Sequence, residues 1–162
     1  MIRLALAAAR LKRDPYLRMV LAPDGVADGA IVVFVVHAIL MVPLVLDGVS
    51  VISAARVILS GMFSWIILSG MVYLLGRHGL QGYGSFPGVM AATSIGFPVL
   101  LSSLLLAPFL APHIATLIVS AWLIATVWVA VRVALELAPD RAAVAAIGGW
   151  VAFVIITIIF RY

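Results

Sequence analysis

Cysteine is absent from this chain, and lysine occurs once, at position 12. Without cysteine there is no disulfide, no thiolate metal site and no cysteine nucleophile. Charge is scarce as well. Only 10% of the 162 residues are Asp, Glu, Lys or Arg, and 66% are hydrophobic. A soluble domain carries roughly 25% charge, so this chain could not cover its own surface in water. No stretch is long and polar enough for a separate soluble domain. The composition implies an all-α, polytopic integral membrane bundle.

Enzyme signatures are missing too. The sequence holds no G-x-S-x-G elbow, no H-E-x-x-H and no G-x-x-x-x-G-K-[ST]. Gly76, Gly79 and Gly82 recur every three residues, but no lysine follows them to meet a phosphate. His37, His78 and His113 lack metal-ligand spacing, and the acids cluster with none of them. The reading is therefore a non-enzymatic protein with no catalytic residues, no cofactor and no metal. The basic residues form no continuous stripe, so no nucleic-acid partner is expected.

What is present is apolar sequence in lengths of about one bilayer. Residues 1–28 read as a basic amphipathic segment at the cytoplasmic membrane surface. It has a short helix over 2–13 and a second one capped by Asp14 with Pro15 as its first residue. Residues 29–162 read as a five-span bundle, with spans at about 30–46, 51–75, 86–106, 114–137 and 142–160. Each approaches or exceeds the ~20 residues that cross a bilayer core. Between the second and third lies the glycine-punctuated loop Gly76–Ser85. Ser85 and Pro87 mark the start of the third span, and Gly96-Phe97-Pro98 marks a kink in it.

Arginine placement orients these spans. Arg3, Arg10, Lys12, Arg13 and Arg18 precede the first apolar run. With the N-terminus inside, Arg77, Arg132 and Arg141 also fall on inner segments, while Arg56 and Arg161 fall outside. That asymmetry follows the positive-inside rule and predicts a periplasmic C-terminus in a bacterial inner membrane.

A few polar and small residues stand out within the spans. Arg132 and Glu136 are four apart, with Trp128 one turn earlier, which permits a Trp–Arg–Glu stack on one helix face. Arg77, Arg132 and Arg141 together form a candidate headgroup site, with membrane lipids as partners and anionic ones preferred. Arg56 sits early in the second span, with Asp47 across the turn as its obvious partner. His37 reads as an interhelical hydrogen-bonding group. Tyr16, Tyr73, Tyr83 and Tyr162 suit interface anchors, whereas Trp65, Trp122, Trp128 and Trp150 suit gaps between helices. Gly84, Gly88, Ala92 and Gly96 recur every four residues as a stripe for close helix packing. Gly148 and Gly149 beside Trp150 form a second small-residue face and the best candidate for docking another integral membrane protein.

The order of these features resembles the YIP family. A G-R-H-G…G-Y-G-S-F loop enters a span with an apolar-Gly-Phe-Pro kink. A span bearing Ala121-Trp122-Leu123, an Arg141-Ala142 turn and a last apolar span follow. The likeness covers about residues 76–160, and the first two spans only by hydropathy. It implies five spans in a small bacterial-type member. Eukaryotic members of that family are named for interacting with Ypt/Rab GTPases and carry a longer polar N-terminal region with a D-L-Y-G-P stretch, which this chain lacks. The leading functional expectation is thus a membrane scaffold or accessory subunit of a larger complex. A lipid-binding or membrane-shaping protein is the alternative, and a small transporter the second. Against the transporter, the sequence shows an odd span count and no visible repeat.

Overall fold

The computed structural model describes residues 2–159, and for 2–5, 156 and 157 the backbone alone. The described residues form helices and connecting turns, with no strand among them. Two short helices come first, α1 (Ile2–Ala9) and α2 (Arg13–Leu21). Then follow α3 (Gly25–Leu46) and α4 (Val51–Tyr73), the latter running on as a π-helical segment over Leu74–Gly79. The third span is broken into α5 (Phe86–Ser94), a 3-10 segment (Phe97–Leu101) and α6 (Ser102–Leu106). The chain closes with α7 (Pro112–Ala134) and α8 (Pro139–Ile159).

Among the described residues, four helical stretches are long and apolar enough to cross a membrane: Gly25–Leu46, Val51–Gly79, Phe86–Leu106 and Pro112–Ala134. The protein is therefore an all-α membrane bundle. The 21 residues of α8 reach about 31 Å at ~1.5 Å per residue, a length that also matches a bilayer core.

The helix ends follow local chemistry. Ser50 caps α4, its Oγ accepting from the Ser53 N–H at 3.2 Å. Ser85 does the same for α5 through the Gly88 N–H at 3.3 Å. Pro112 and Pro139 open α7 and α8, where a missing N–H costs no hydrogen bond. Both helices accordingly start a few residues earlier than hydropathy predicts, and α7 stops at Ala134 rather than Leu137. The kink falls where expected. Pro98 cannot donate, so α5 ends at Ser94 and a tighter 3-10 segment bridges to α6.

Other boundaries differ from the sequence reading. Helix α1 ends at Ala9, because Leu11 turns into the left-handed region at φ 58. Helix α2 starts at Arg13, with no side-chain cap and Asp14 already inside its first turn. Helix α3 starts at Gly25, five residues before the predicted Ala30, and takes Asp28 into its first turn. Four of the ten residues of the expected Gly76–Ser85 loop are helical, since α4 continues in π form to Gly79.

The broken third span is the centre of the bundle. Helix α5 packs against α2, α3, α4 and α7, and residues 91–97 are buried without interruption. Helix α8 lies along α4 in the most extensive helix pairing of the fold. That pairing explains Gly148 and Gly149. A methyl on Gly148 would collide with Leu75, and one on Gly149 with Val72. The glycine face of α8 is thus filled by α4 and its π-helical extension and offers no docking surface. The stripe on the third span is likewise used within the chain. Gly84 lies against the Ala134 carbonyl, Gly88 sits below Val20, Ala92 is wholly buried, and Gly96 meets the Thr126 hydroxyl.

Candidate functional site

The N-terminal helices are integrated into the bundle. Tyr16 is fully buried, and its hydroxyl donates to the Ala8 carbonyl at 3.0 Å. It is a core residue rather than the interface anchor its position suggests, because α2 packs onto α5 and α7. Burial pushes its phenol pKa above the ordinary tyrosine value. Trp122, ten residues into α7, donates from Nε1 to the Ala9 carbonyl at 2.9 Å. The end of α1 is therefore held beside the middle of that span.

Docking of α2 creates a cavity of about 640 Å³ against the end of α7, lined by Arg13, Asp14, Leu17, Arg132, Glu136 and their neighbours. Arg132 is the best-fixed of the charged groups. Its guanidinium stacks over the Trp128 ring, 4.9 Å from the centroid. The indole is itself pinned by Nε1 donating to the Pro139 carbonyl at 2.8 Å. The Arg132 Nε is buried with no hydrogen-bond partner. Glu136 stands at φ 53, in the left-handed region that non-glycine residues rarely occupy. This conformation turns the chain out of α7 and leaves the Glu136 side chain exposed. The Trp–Arg pair expected from spacing is thus formed. Glu136 shares the cavity without pairing to Arg132.

Arg77 and Arg141 do not join Arg132. Arg77 donates to the Gly82 carbonyl at 2.8 Å, and Arg141 to the Leu80 carbonyl at 3.3 Å. Together they clasp the 80–85 loop. The same loop is fastened by Gly82 N–H to the Gly76 carbonyl and Tyr83 N–H to the Leu135 carbonyl, both at 2.8 Å. Gly84, at φ 133, presses against the Ala134 carbonyl, an arrangement open only to glycine. Two of the three expected headgroup arginines therefore hold a loop. Arg13 and Asp14 line the cavity together with Arg132, a convergence that spacing along the sequence missed, because 119 positions separate Arg13 from Arg132.

The remaining polar groups sort as follows. Arg56 is exposed and makes no ion pair with Asp47 among the described residues, since Asp47 ends α3 while Arg56 lies further along α4. His37 is buried, with Nδ1 2.8 Å from the Val33 carbonyl and its ring over Gly61 and Phe97. Its partner is thus on its own helix rather than across the bundle. Trp65 donates to Thr93 at 3.2 Å, and Ser69 lies 2.8 Å from the same hydroxyl, which ties α4 to α5. No cluster of three potential metal ligands exists among the described residues. Tyr73 packs its ring against His78 and Phe86, Tyr83 is exposed, and Tyr162 lies outside the described residues.

A second cavity, of about 710 Å³, runs between α1, α3 and the broken third span. Its walls are apolar apart from Asp28 and Ser102, and Trp122 closes one side.

No family model, no curated protein and no solved structure matches this chain.

Proposed function

We propose that this protein is a non-enzymatic, five-span membrane protein that binds a lipid headgroup in the cavity between α2 and the end of α7. The observation that carries this is Arg132, stacked on a fixed indole with a buried and unpartnered Nε, facing a cavity that Arg13 also lines. A guanidinium held in this way is pre-oriented, so less conformational freedom is lost when it meets a phosphate. In this reading the N-terminus and the cavity face the cytoplasm of a bacterial inner membrane, at headgroup level. Native mass spectrometry of the detergent-released protein tests it. Phospholipid should be retained at near one equivalent and lost in Arg132→Gln. Equal retention by both proteins counts against the site.

A scaffold or accessory subunit in a larger complex is the second reading. It is favoured by the far ends of α3 and α4, where residues 42–53 are all exposed. Leu46, Val51 and Ile52 stand out at the tip of this hairpin, at 81%, 75% and 76% exposure. Co-purification of a stoichiometric membrane partner, lost when Val51 and Ile52 are changed to serine, would favour it over the lipid reading.

A further inference from the structure

The cavity beside Arg132 carries both signs of charge in equal number. Arg13 and Arg132 supply two guanidiniums, Asp14 and Glu136 two carboxylates, and all four line the same space. None is joined to another by an ion pair among the described residues. Opposite charges around one cavity ordinarily collapse onto each other unless the backbone holds them apart. Here backbone conformation and a ring contact do so. Arg13 and Asp14 sit in the first turn of α2, Arg132 is drawn onto Trp128, and Glu136 is turned outward by its left-handed φ.

We propose, resting on the lipid-headgroup reading above, that this site selects a zwitterionic phosphoethanolamine group. Its phosphate meets Arg13 and Arg132, and its primary ammonium meets Asp14 and Glu136. A headgroup with a phosphate alone would leave both carboxylates facing a like charge. A primary ammonium brings three N–H donors to those carboxylates, and a quaternary ammonium brings none. Quaternary groups are instead held by aromatic faces, and the Trp128 face is already covered by the Arg132 guanidinium. The cavity volume falls within the ~300–1,000 Å³ range of small-molecule sites, so the headgroup fits with the acyl chains left in the bilayer. Three expected arginines argued for anionic lipid. With Arg77 and Arg141 committed to the loop, that excess of positive charge is gone from the site.

The test is lipid competition on the full-length protein in detergent, read by native mass spectrometry. Equal amounts of phosphatidylethanolamine, phosphatidylglycerol and phosphatidylcholine are offered. Phosphatidylethanolamine should be retained about fivefold over each of the others, the scale set by exposed ion pairs. In the Asp14→Asn/Glu136→Gln variant, which keeps shape and both arginines, the preference should shift to phosphatidylglycerol. Free O-phosphoethanolamine should displace the lipid only at high excess. Binding of O-phosphoethanolamine at low concentration by a protein that retains none of the lipids would mean a soluble occupant and overturn the lipid source. A wild-type preference for phosphatidylglycerol would overturn the zwitterion and leave headgroup binding standing. Loss of all three lipids from the wild type, with no binding of O-phosphoethanolamine either, would sink both. Circular dichroism on each variant establishes that the helices are intact.

Discussion

The Trp122 indole donates to the carbonyl of Ala9, joining residues 113 positions apart and holding the first helix beside the fourth span. Neither residue advertises this in the sequence. The contact helps fix where the N-terminal helices sit, and through them the cavity that Arg13 and Arg132 both line. Trp122→Phe should keep an aromatic ring while removing this hydrogen bond, whose loss costs about 0.5–1.5 kcal/mol beyond the reduced packing of the smaller ring. Hydrogen exchange over residues 2–9 should rise while exchange in α4 and α8 stays unchanged. Unaltered protection of α1 would show that the bond does not hold it.

The glycines of α4 separate close approach from free surface. A methyl on Gly61 would strike the His37 ring, whereas one on Gly70 meets nothing within 4 Å. Gly61→Ala should destabilise the bundle by about 1–3 kcal/mol through overpacking. Gly70→Ala should be neutral or stabilising by up to about 1 kcal/mol, because alanine is the better helix former. Thermal unfolding in one detergent, followed by circular dichroism, compares the two directly. Equal melting temperatures would refute the difference.

Thr93 is the junction of a buried polar set. It receives Trp65, lies 2.8 Å from Ser69 and donates back to the Val89 carbonyl at 2.9 Å. Thr93→Val keeps the shape and strips the hydroxyl, which leaves Ser69 without this partner. The expected cost is about 1–2 kcal/mol, and Thr93→Ser should recover most of it. A Thr93→Val protein as stable as the wild type would mean that shape alone matters at this position.

The loop clasp predicts a local effect rather than a global one. Gly84→Ala sets a methyl against the Ala134 carbonyl at a φ that L-residues rarely adopt. The 80–85 segment should then detach from the α7–α8 turn. Limited proteolysis should cut there at least several-fold faster, with the far end of the bundle unaffected. An unchanged cleavage rate would rule out the clasp.

Five spans with the N-terminus inside require particular reporter results. Fusions at Arg77, at Leu110 and at the C-terminus should read inside, outside and outside. A cytoplasmic C-terminus would reduce the count to four and leave α8 beside the bundle without crossing.

Much of the architecture is legible in the residues themselves. Long apolar runs with almost no charge make lipid-facing helices the outcome that satisfies every backbone group, whatever packs against them. Serine before a helix, proline at its start and Gly-Phe-Pro within it act over a few residues, so Ser85, Pro87 and the break at Phe97 follow from the sequence alone. Small residues every four positions also signal close packing, but they do not name the neighbour. Tertiary structure decided that Gly148 and Gly149 receive α4, and that the third-span stripe receives α7 and α2. It also decided the candidate site. Arg77, Arg132 and Arg141 share a predicted membrane side, yet two of them turn to backbone carbonyls while the third lines a cavity with Arg13 and Asp14. Charge patterning places a residue at a level in the membrane. Which groups converge at that level depends on how the short N-terminal helices dock, and that is set by contacts more than a hundred residues apart.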